Sequence, residues 1–302
     1  MNVPTRTITT LLFLILPTAL STADEKNSKE DKKYSGKRVT EWIKDSYNSE
    51  SIVRVQAVHV LGEIAKDDPR AIPPLIKALK DDSDFVRGAA AWAVGTLGQK
   101  ATPATTALIS MVSTEQGIYR GYAARALGNI GDITAIETLR SAVKKAERQP
   151  DAIWIHFALC KLGDNQESHR DALLQALKDS RDGVRLFAVQ AFGELGSIAK
   201  PAVATLSQGL KEKQRLLRIA TARALADLGP DAGDAIEALI QALRDTEPDV
   251  RGLSARALGN IGQRAQAAIP QLDAALLAER EDVVSHEMRE ALNKIKATTS
   301  KK

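Results

Sequence analysis

Of the residue types that do chemistry in proteins, this chain of 302 residues holds few: four histidines, His59, His156, His169 and His286, and one cysteine, Cys160. Metal catalysis needs several ligands converging on one point, and covalent catalysis needs a nucleophile beside a base. The histidines are scattered, Cys160 has no second cysteine to pair with, and no Ser or Cys sits in a recognisable nucleophile elbow. No glycine-rich phosphate loop follows a strand, and no strand is predicted. The residues therefore predict no catalytic group, no cofactor and no metal site. More conspicuous is a series of arginines, Arg54, Arg87, Arg120, Arg185, Arg218 and Arg251, with an acid two or three residues earlier in several copies, as at Asp84, Asp182 and Asp249. Such a series could grip anions. A guanidinium fork can equally tie the start of a helix to the preceding loop and helix, satisfying end groups that have no intrahelical partner. The structural role is the expectation, because the same residue returns in nearly every copy.

What positions these arginines is a repeat. The string Arg-Ala-Leu-Gly-Asn-Ile-Gly occurs at Arg125–Gly131 and again at Arg256–Gly262. Its closing glycine recurs at Gly98, Gly131, Gly163, Gly196, Gly229 and Gly262, with Ala65 in the first copy, at intervals of 33, 33, 32, 33, 33 and 33 residues. Before each lies an apolar stripe at helical spacing, such as Val250, Leu253, Ala257, Leu258 and Ile261. After it comes a second stripe around Leu75, Leu108, Leu173, Leu206, Leu239 or Leu272, entered near Pro73, Pro103, Pro201 or Pro270. Hydrophobic content of 44% with only 4% aromatic residues also favours helices over a sandwich or barrel. One helical hairpin cannot bury its apolar faces alone, so the hairpins must stack. The predicted fold is an all-α solenoid, a superhelix of about seven stacked antiparallel hairpins with caps.

The run Asp249-Val250-Arg251, then Ala255-Arg256-Ala257-Leu258-Gly259-Asn260-Ile261-Gly262, then Ala268-Ile269-Pro270 resembles the HEAT repeat in the short form named after phycobilisome lyases. The resemblance covers about residues 38 to 297. It implies a right-handed superhelix whose second helices line the concave face. On that basis the candidate partner-binding face is the row Lys77, Ser110, Ser141, Gln175, Gln208 and Gln241 on the second helices, able to hydrogen-bond an extended peptide or a glycan. A second row, Lys80, Ser113, Lys144, Lys178, Lys211, Arg244 and Leu277, reads as solvated. Its cations suit the last turn of a helix, and Asp81, Asp179, Glu212 and Asp245 follow them directly. His286-Glu287 resembles the His-Glu pairs of a HEAT-repeat hydroxylase that binds two irons, yet that family uses several pairs and this chain has one. A lyase-like role in attaching a chromophore would conflict with export.

The fourth unit breaks the pattern: Ala152 replaces the arginine, Cys160 replaces a glycine, and Glu147-Arg148-Gln149-Pro150 intrudes. The expectation is a bend, with Trp154, His156 and Phe157 as packing and Cys160 as an inert buried thiol. The alternative is an enzyme or enzyme-associated subunit, lyase-like or metal-dependent, with its site there.

Residues 1–23 read as a signal peptide, with Arg6, the apolar run Leu11–Leu16 and Ser21-Thr22-Ala23 before the cut. The protein is thus expected to be exported, to the periplasm or the extracellular space. Residues 24–37 read as a disordered charged leader, 38–50 as an N-terminal cap helix containing Trp42, 51–281 as the repeats, 282–297 as a C-terminal cap helix and 298–302 as a disordered tail. Without Arg6 the chain carries 41 basic and 38 acidic residues, +3, which argues against nucleic acid as the partner. The expected function is a non-enzymatic, monomeric scaffold for a protein or peptide partner, with no transmembrane segment after signal removal.

Overall fold

A computed structural model describes residues 32–146 and 149–297. The signal peptide, the first part of the leader and the tail lie outside them. The chain opens with a short antiparallel ribbon, β1 (Lys33–Tyr34) and β2 (Lys37–Arg38), registered Lys33 to Arg38. This corrects the expectation of a disordered leader as far as residue 37, and of a chain without strands. Ser35 and Gly36 both take positive φ, as the two-residue turns that match strand twist require. Trp42 Nε1 then donates to Tyr34 O at 2.8 Å, fastening the ribbon to the cap helix α1 (Val39–Asp45).

Seven hairpins follow. Their first helices are α2 (Ser51–Ile64), α4 (Asp84–Thr96), α6 (Gly117–Ile130), α8 (Ala152–Lys161), α10 (Asp182–Glu194), α12 (Arg215–Leu228) and α14 (Pro248–Ile261). Their second helices are α3 (Ile72–Ala78), α5 (Thr105–Thr114), α7 (Ile136–Lys145), α9 (Gln166–Ala176), α11 (Val203–Leu206), α13 (Ile236–Ala242) and α15 (Ile269–Ala278). The cap helix α16 (Asp282–Ala297) ends the array.

The closing glycines end the first helices for a stereochemical reason. All six take positive φ, between 54° and 82°, a conformation that a side chain disfavours. In four units a seven-residue 3-10 turn leads into the second helix. In the first and third units the turn is shorter, and Asp68 or Asp132 caps it by accepting from a backbone N–H two residues on. The leucines of the second stripe, with Leu139 in the third unit, are all buried, each contributing roughly 2 kcal/mol. The short α11 has a local cause. Thr221 of α12 occupies the space a Cβ would need at residue 209, where other units mostly carry Ala, and Gly209 lets the helix tighten to a 3-10 segment, Ser207–Lys211.

Neighbouring first helices meet almost backbone to backbone. A Cβ added at Gly128 would lie 2.7 Å from Ala158 Cα, and one at Gly259 would lie 2.8 Å from Ala291 Cα. First helices pack along their length, whereas neighbouring second helices touch at few points. Each unit is therefore a wedge with its thin edge on the first-helix side, and a stack of wedges curves with that side inward. The first helices line the concave face and the second helices the convex one. This corrects the assignment of the concave face to the second helices: the glycine and alanine stripe that permits close approach lies on the first helix. An independent contact agrees, since Arg125 of the third unit reaches Glu194 of the fifth, which is possible only across the inside of a bend.

Candidate functional site

The predicted row Lys77, Ser110, Ser141, Gln175, Gln208 and Gln241 is exposed throughout, but on the convex side. Its members are not gathered into one site. Lys77 Nζ lies 4.3 Å from the centroid of the Tyr47 ring, Gln208 sits on the rim of a cavity below α11, and Gln175 and Gln241 face solvent.

The arginine ladder is an architectural device. Arg218 forks onto Asp245 at 2.8 and 3.0 Å while its Nη1 donates to the carbonyls of Glu212 and Lys213. Arg54 does the same to Asp81, with Asn48 and Ser49 carbonyls, and Arg251 to Glu279, with Asp245 and Thr246 carbonyls. Arg87 pairs with Glu115 at 2.6 Å. Each arginine thus joins the loop before its own helix to the loop after its own hairpin. Of the acids just upstream, Asp84, Asp182 and Asp249, only Asp182 bonds its arginine, Arg185, at 2.6 Å. The true partners stand 27 or 28 residues downstream, and include the acids that seemed only to neutralise the lysine row. Arg120 instead meets Asp151 at 2.5 Å, its carboxylate wholly buried. In the fourth unit, where Ala152 leaves the ladder without an arginine, Asp179 is taken by Arg181, which holds its carboxyl well below the usual range.

The concave face carries a cluster that sequence reasoning missed. Six and nine positions before the closing glycine, the second to fifth units carry bulky side chains: Trp92, Tyr122, Arg125, Trp154, Phe157 and Phe187, of which Trp92 and Phe187 are half-buried and the other four buried. The Arg125 guanidinium lies 4.0 Å from the Trp92 ring centroid and 5.5 Å from that of Trp154. Its Nε and Nη2 sit 2.9 Å from the Glu194 carboxylate, to which Asn129 adds a 3.3 Å bond. Tyr122 packs edge-on to Trp92 at 5.5 Å, and burial pushes its hydroxyl up to about 12. Farther along the groove Arg223, Arg256 and Arg289 are exposed, with Arg256 clasping Glu287. Asp227, exposed on the same helix face as Arg223, feels both Arg223 and Arg256, and partial desolvation still raises its carboxyl despite their attraction. A guanidinium held between two indole rings in this way is stiff and desolvated.

The fourth unit also brings His156 and His169 together, Nδ1 to Nδ1 at 2.8 Å, although their sequence positions suggested unrelated faces. His169 Nε2 lies 3.5 Å from Asp164, itself forked by Arg140 at 2.6 and 3.0 Å. Burial lowers His156 to about 4 and lowers His169 as well, so both are neutral near pH 7 and one donates to the other. Cys160 is buried, its thiol donates to Gln166 O, and burial pushes it up to about 11, leaving no thiolate. Among the described residues, no group of three or more His, Cys, Asp and Glu side chains is placed to hold a metal ion. No described helix is long and apolar enough to cross a membrane.

A curved stack of helical hairpins, each packed against its neighbours, defines an α-solenoid. The sequence profile of HEAT repeats matches residues 39–119 and 203–293, and that of the PBS lyase HEAT-like repeat matches 119–145. The chain belongs to the HEAT-repeat family. No curated protein matches the sequence. Among solved structures, the complex of CpcE and CpcF of phycocyanin lyase from Nostoc sp. PCC7120 contains a chain 19% identical, with a TM-score of 0.57, aligned over 84% of this chain and 100% of that one. An engineered protein is 22% identical with a TM-score of 0.41, and human deoxyhypusine hydroxylase in complex with glycerol is 24% identical with a TM-score of 0.40. Each aligns over 86% of this chain and 96% of its own.

Proposed function

We propose that this protein is a non-catalytic scaffold that recognises a partner protein along its concave groove, and that it works after export to the periplasm or extracellular space. The observation that carries the reading is the inward row of the first helices, where half-buried Trp92, braced by the buried Arg125 and Trp154, is followed along the groove by the exposed cations Arg223, Arg256 and Arg289. Affinity in such an array is spread over several units. The likeness in fold to a chain from a two-protein complex supports a protein partner. The test is cross-linking of the tagged chain in its envelope fraction, followed by mass spectrometry. The triple variant Arg223→Glu, Arg256→Glu, Arg289→Glu loses the cross-linked partner, while Gln175→Glu, Gln208→Glu, Gln241→Glu keeps it. The reverse outcome moves recognition to the convex face. An N-terminus at Asp24 in the exported chain supports export, and a retained residue 1 in the cytosol removes that part.

A second reading, an enzyme-associated subunit, has one observation in its favour: the chain of contacts Arg140–Asp164–His169–His156. The Cys160 thiol of the same unit is buried and stays protonated, so it does not serve as the nucleophile. A His156→Gln variant that retains the partner but leaves it chemically unmodified supports this reading. Unaltered partner chemistry removes it.

A further inference from the structure

We infer that the convex side carries a second docking site, for an acidic, aliphatic segment of a partner protein, at the junction of the first two units. A cavity of about 660 Å³ lies there, open to solvent, with a floor of Pro69, Ile72, Pro73, Ile76 and Pro103. Three cations surround this floor, Lys77, Lys80 and Lys100, and no carboxylate lines it. That imbalance follows from the ladder. Asp81, next to Lys80 in sequence, is turned inward and bonded by Arg54 at 2.7 and 2.8 Å, so it does not neutralise the lysine. Asp68 is forked by Arg70, and Glu63 is paired with Lys66 at 2.6 Å. Among the described residues the Lys80 ammonium makes no hydrogen bond or ion pair, while Lys77 is steadied over the Tyr47 ring and Lys100 donates to Lys66 O at 2.7 Å.

The lysines therefore border an apolar, solvent-open floor, while the nearby Asp81 and Asp68 are held by Arg54 and Arg70. Lys77 and Lys80 are three residues apart and flank the floor along one helical edge, with Lys100 on the next unit. An extended polyproline-like segment has three residues per turn, so a repeat of one aliphatic and two acidic residues sets the aliphatic side chains on one edge and carboxylates on the other two. That pattern matches an apolar floor with cations on both sides. Charge complementarity at the rim sets partner choice and on-rate, and the floor supplies the apolar anchor.

The probe is a fluorescein-labelled nine-residue peptide of repeated Leu-Asp-Asp, titrated with the full chain and followed by anisotropy at low and physiological salt. Peptides of repeated Ser-Asp-Asp and Leu-Lys-Lys are the comparisons. The expected result is saturable binding of Leu-Asp-Asp, at least about tenfold weaker binding of both comparisons, and a similar loss in the variant Lys77→Glu, Lys80→Glu with an unchanged circular dichroism spectrum. Ile76→Ser weakens binding without altering its salt dependence. Binding unaffected by Lys77→Glu, Lys80→Glu, or equal for Leu-Asp-Asp and Ser-Asp-Asp, overturns the proposal. So does flotation with phosphatidylglycerol vesicles that depends on Lys80 when the peptide does not bind, which would make this face a lipid contact. The concave triple arginine variant binds the peptide like wild type, so this site and the groove fail separately.

Discussion

Lowering the pH to 5 loosens the fourth unit, and His156 is the main cause. Its ring is held neutral by burial, first, and by His169, with a folded value of about 4 against 6.5 for a free histidine. A folded value below the unfolded one means that the unfolded chain takes up the proton first. Stability is therefore intact above pH 6.5, falls as pH drops through the window from 6.5 to about 4, and levels off below it. The slope inside the window is about 1.4 kcal/mol per pH unit, so the loss is about 2 kcal/mol at pH 5 and about 3 kcal/mol in full. His169 shifts in the same direction, although Asp164 partly offsets its burial, and Arg140 opposes its protonation. The assay is urea unfolding at pH 7 and pH 5 for wild type and His156→Gln, with hydrogen exchange on α8 and α9 to localise the opening. Wild type loses about 2 kcal/mol more than the variant between the two pH values. Parallel losses in the two proteins, or an imidazole titration of His156 near 6.5 by NMR, would refute the burial argument.

The ladder predicts a second acid limb. Arg251 holds Glu279, whose side chain is 3% exposed, at about 2 against 4.5, so its contribution is complete above pH 4.5 and vanishes as pH falls to about 2. Arg251→Ala should abolish that limb and cost about 3 kcal/mol at pH 7, measured by urea unfolding, because a buried carboxylate is left without its partner. Gly128→Ala should lower the melting temperature: helix propensity gains under about 1 kcal/mol, but the added methyl meets the Ala158 backbone, and overpacking costs about 1–3 kcal/mol. Glu194→Gln should weaken the tie across the bend, seen as an altered tryptophan emission from Trp92 and Trp154 with little change in far-ultraviolet circular dichroism.

The repeat, its hairpins and their punctuation were legible because each follows from local chemistry: apolar stripes at helical spacing, and glycines that must take positive φ. The histidine contact could have been found. His156 lies seven residues before Gly163 and His169 six after it, and an antiparallel hairpin brings positions equidistant from its turn together. The curvature was harder to see. Which row of helices faces inward depends on how closely each row can stack, and that is set by small residues acting in pairs from different units: Gly95 with Ala126, Gly128 with Ala158, Gly193 with Ala224. No single unit displays the pairing. Ladder partners were hidden for the same reason, since Arg218 and Asp245 stand 27 residues apart and meet only after stacking.

The fourth unit shows how the two devices depend on each other. Cys160 replaces the glycine that elsewhere lets first helices close up, and α8 and α10 are packed less intimately than the other neighbouring pairs. Trp154, Phe157 and Phe187 fill the widened space, the first two edge-on at 5.6 Å. Ala152 removes the ladder arginine from the same unit, so the loops flanking its hairpin lack that tie, although Arg140 still holds its turn through Asp164. A unit loosened on both edges would be the weak point of a solenoid whose units hold only their neighbours. Arg125 counters this by bonding Glu194 over the top of the irregular unit, through a guanidinium stacked on Trp92 that is 8% exposed. The aromatic and arginine cluster thus has a structural cause that precedes any partner: it braces the irregular unit, and the buried Arg125 and Trp154 hold Trp92 stiffly in place.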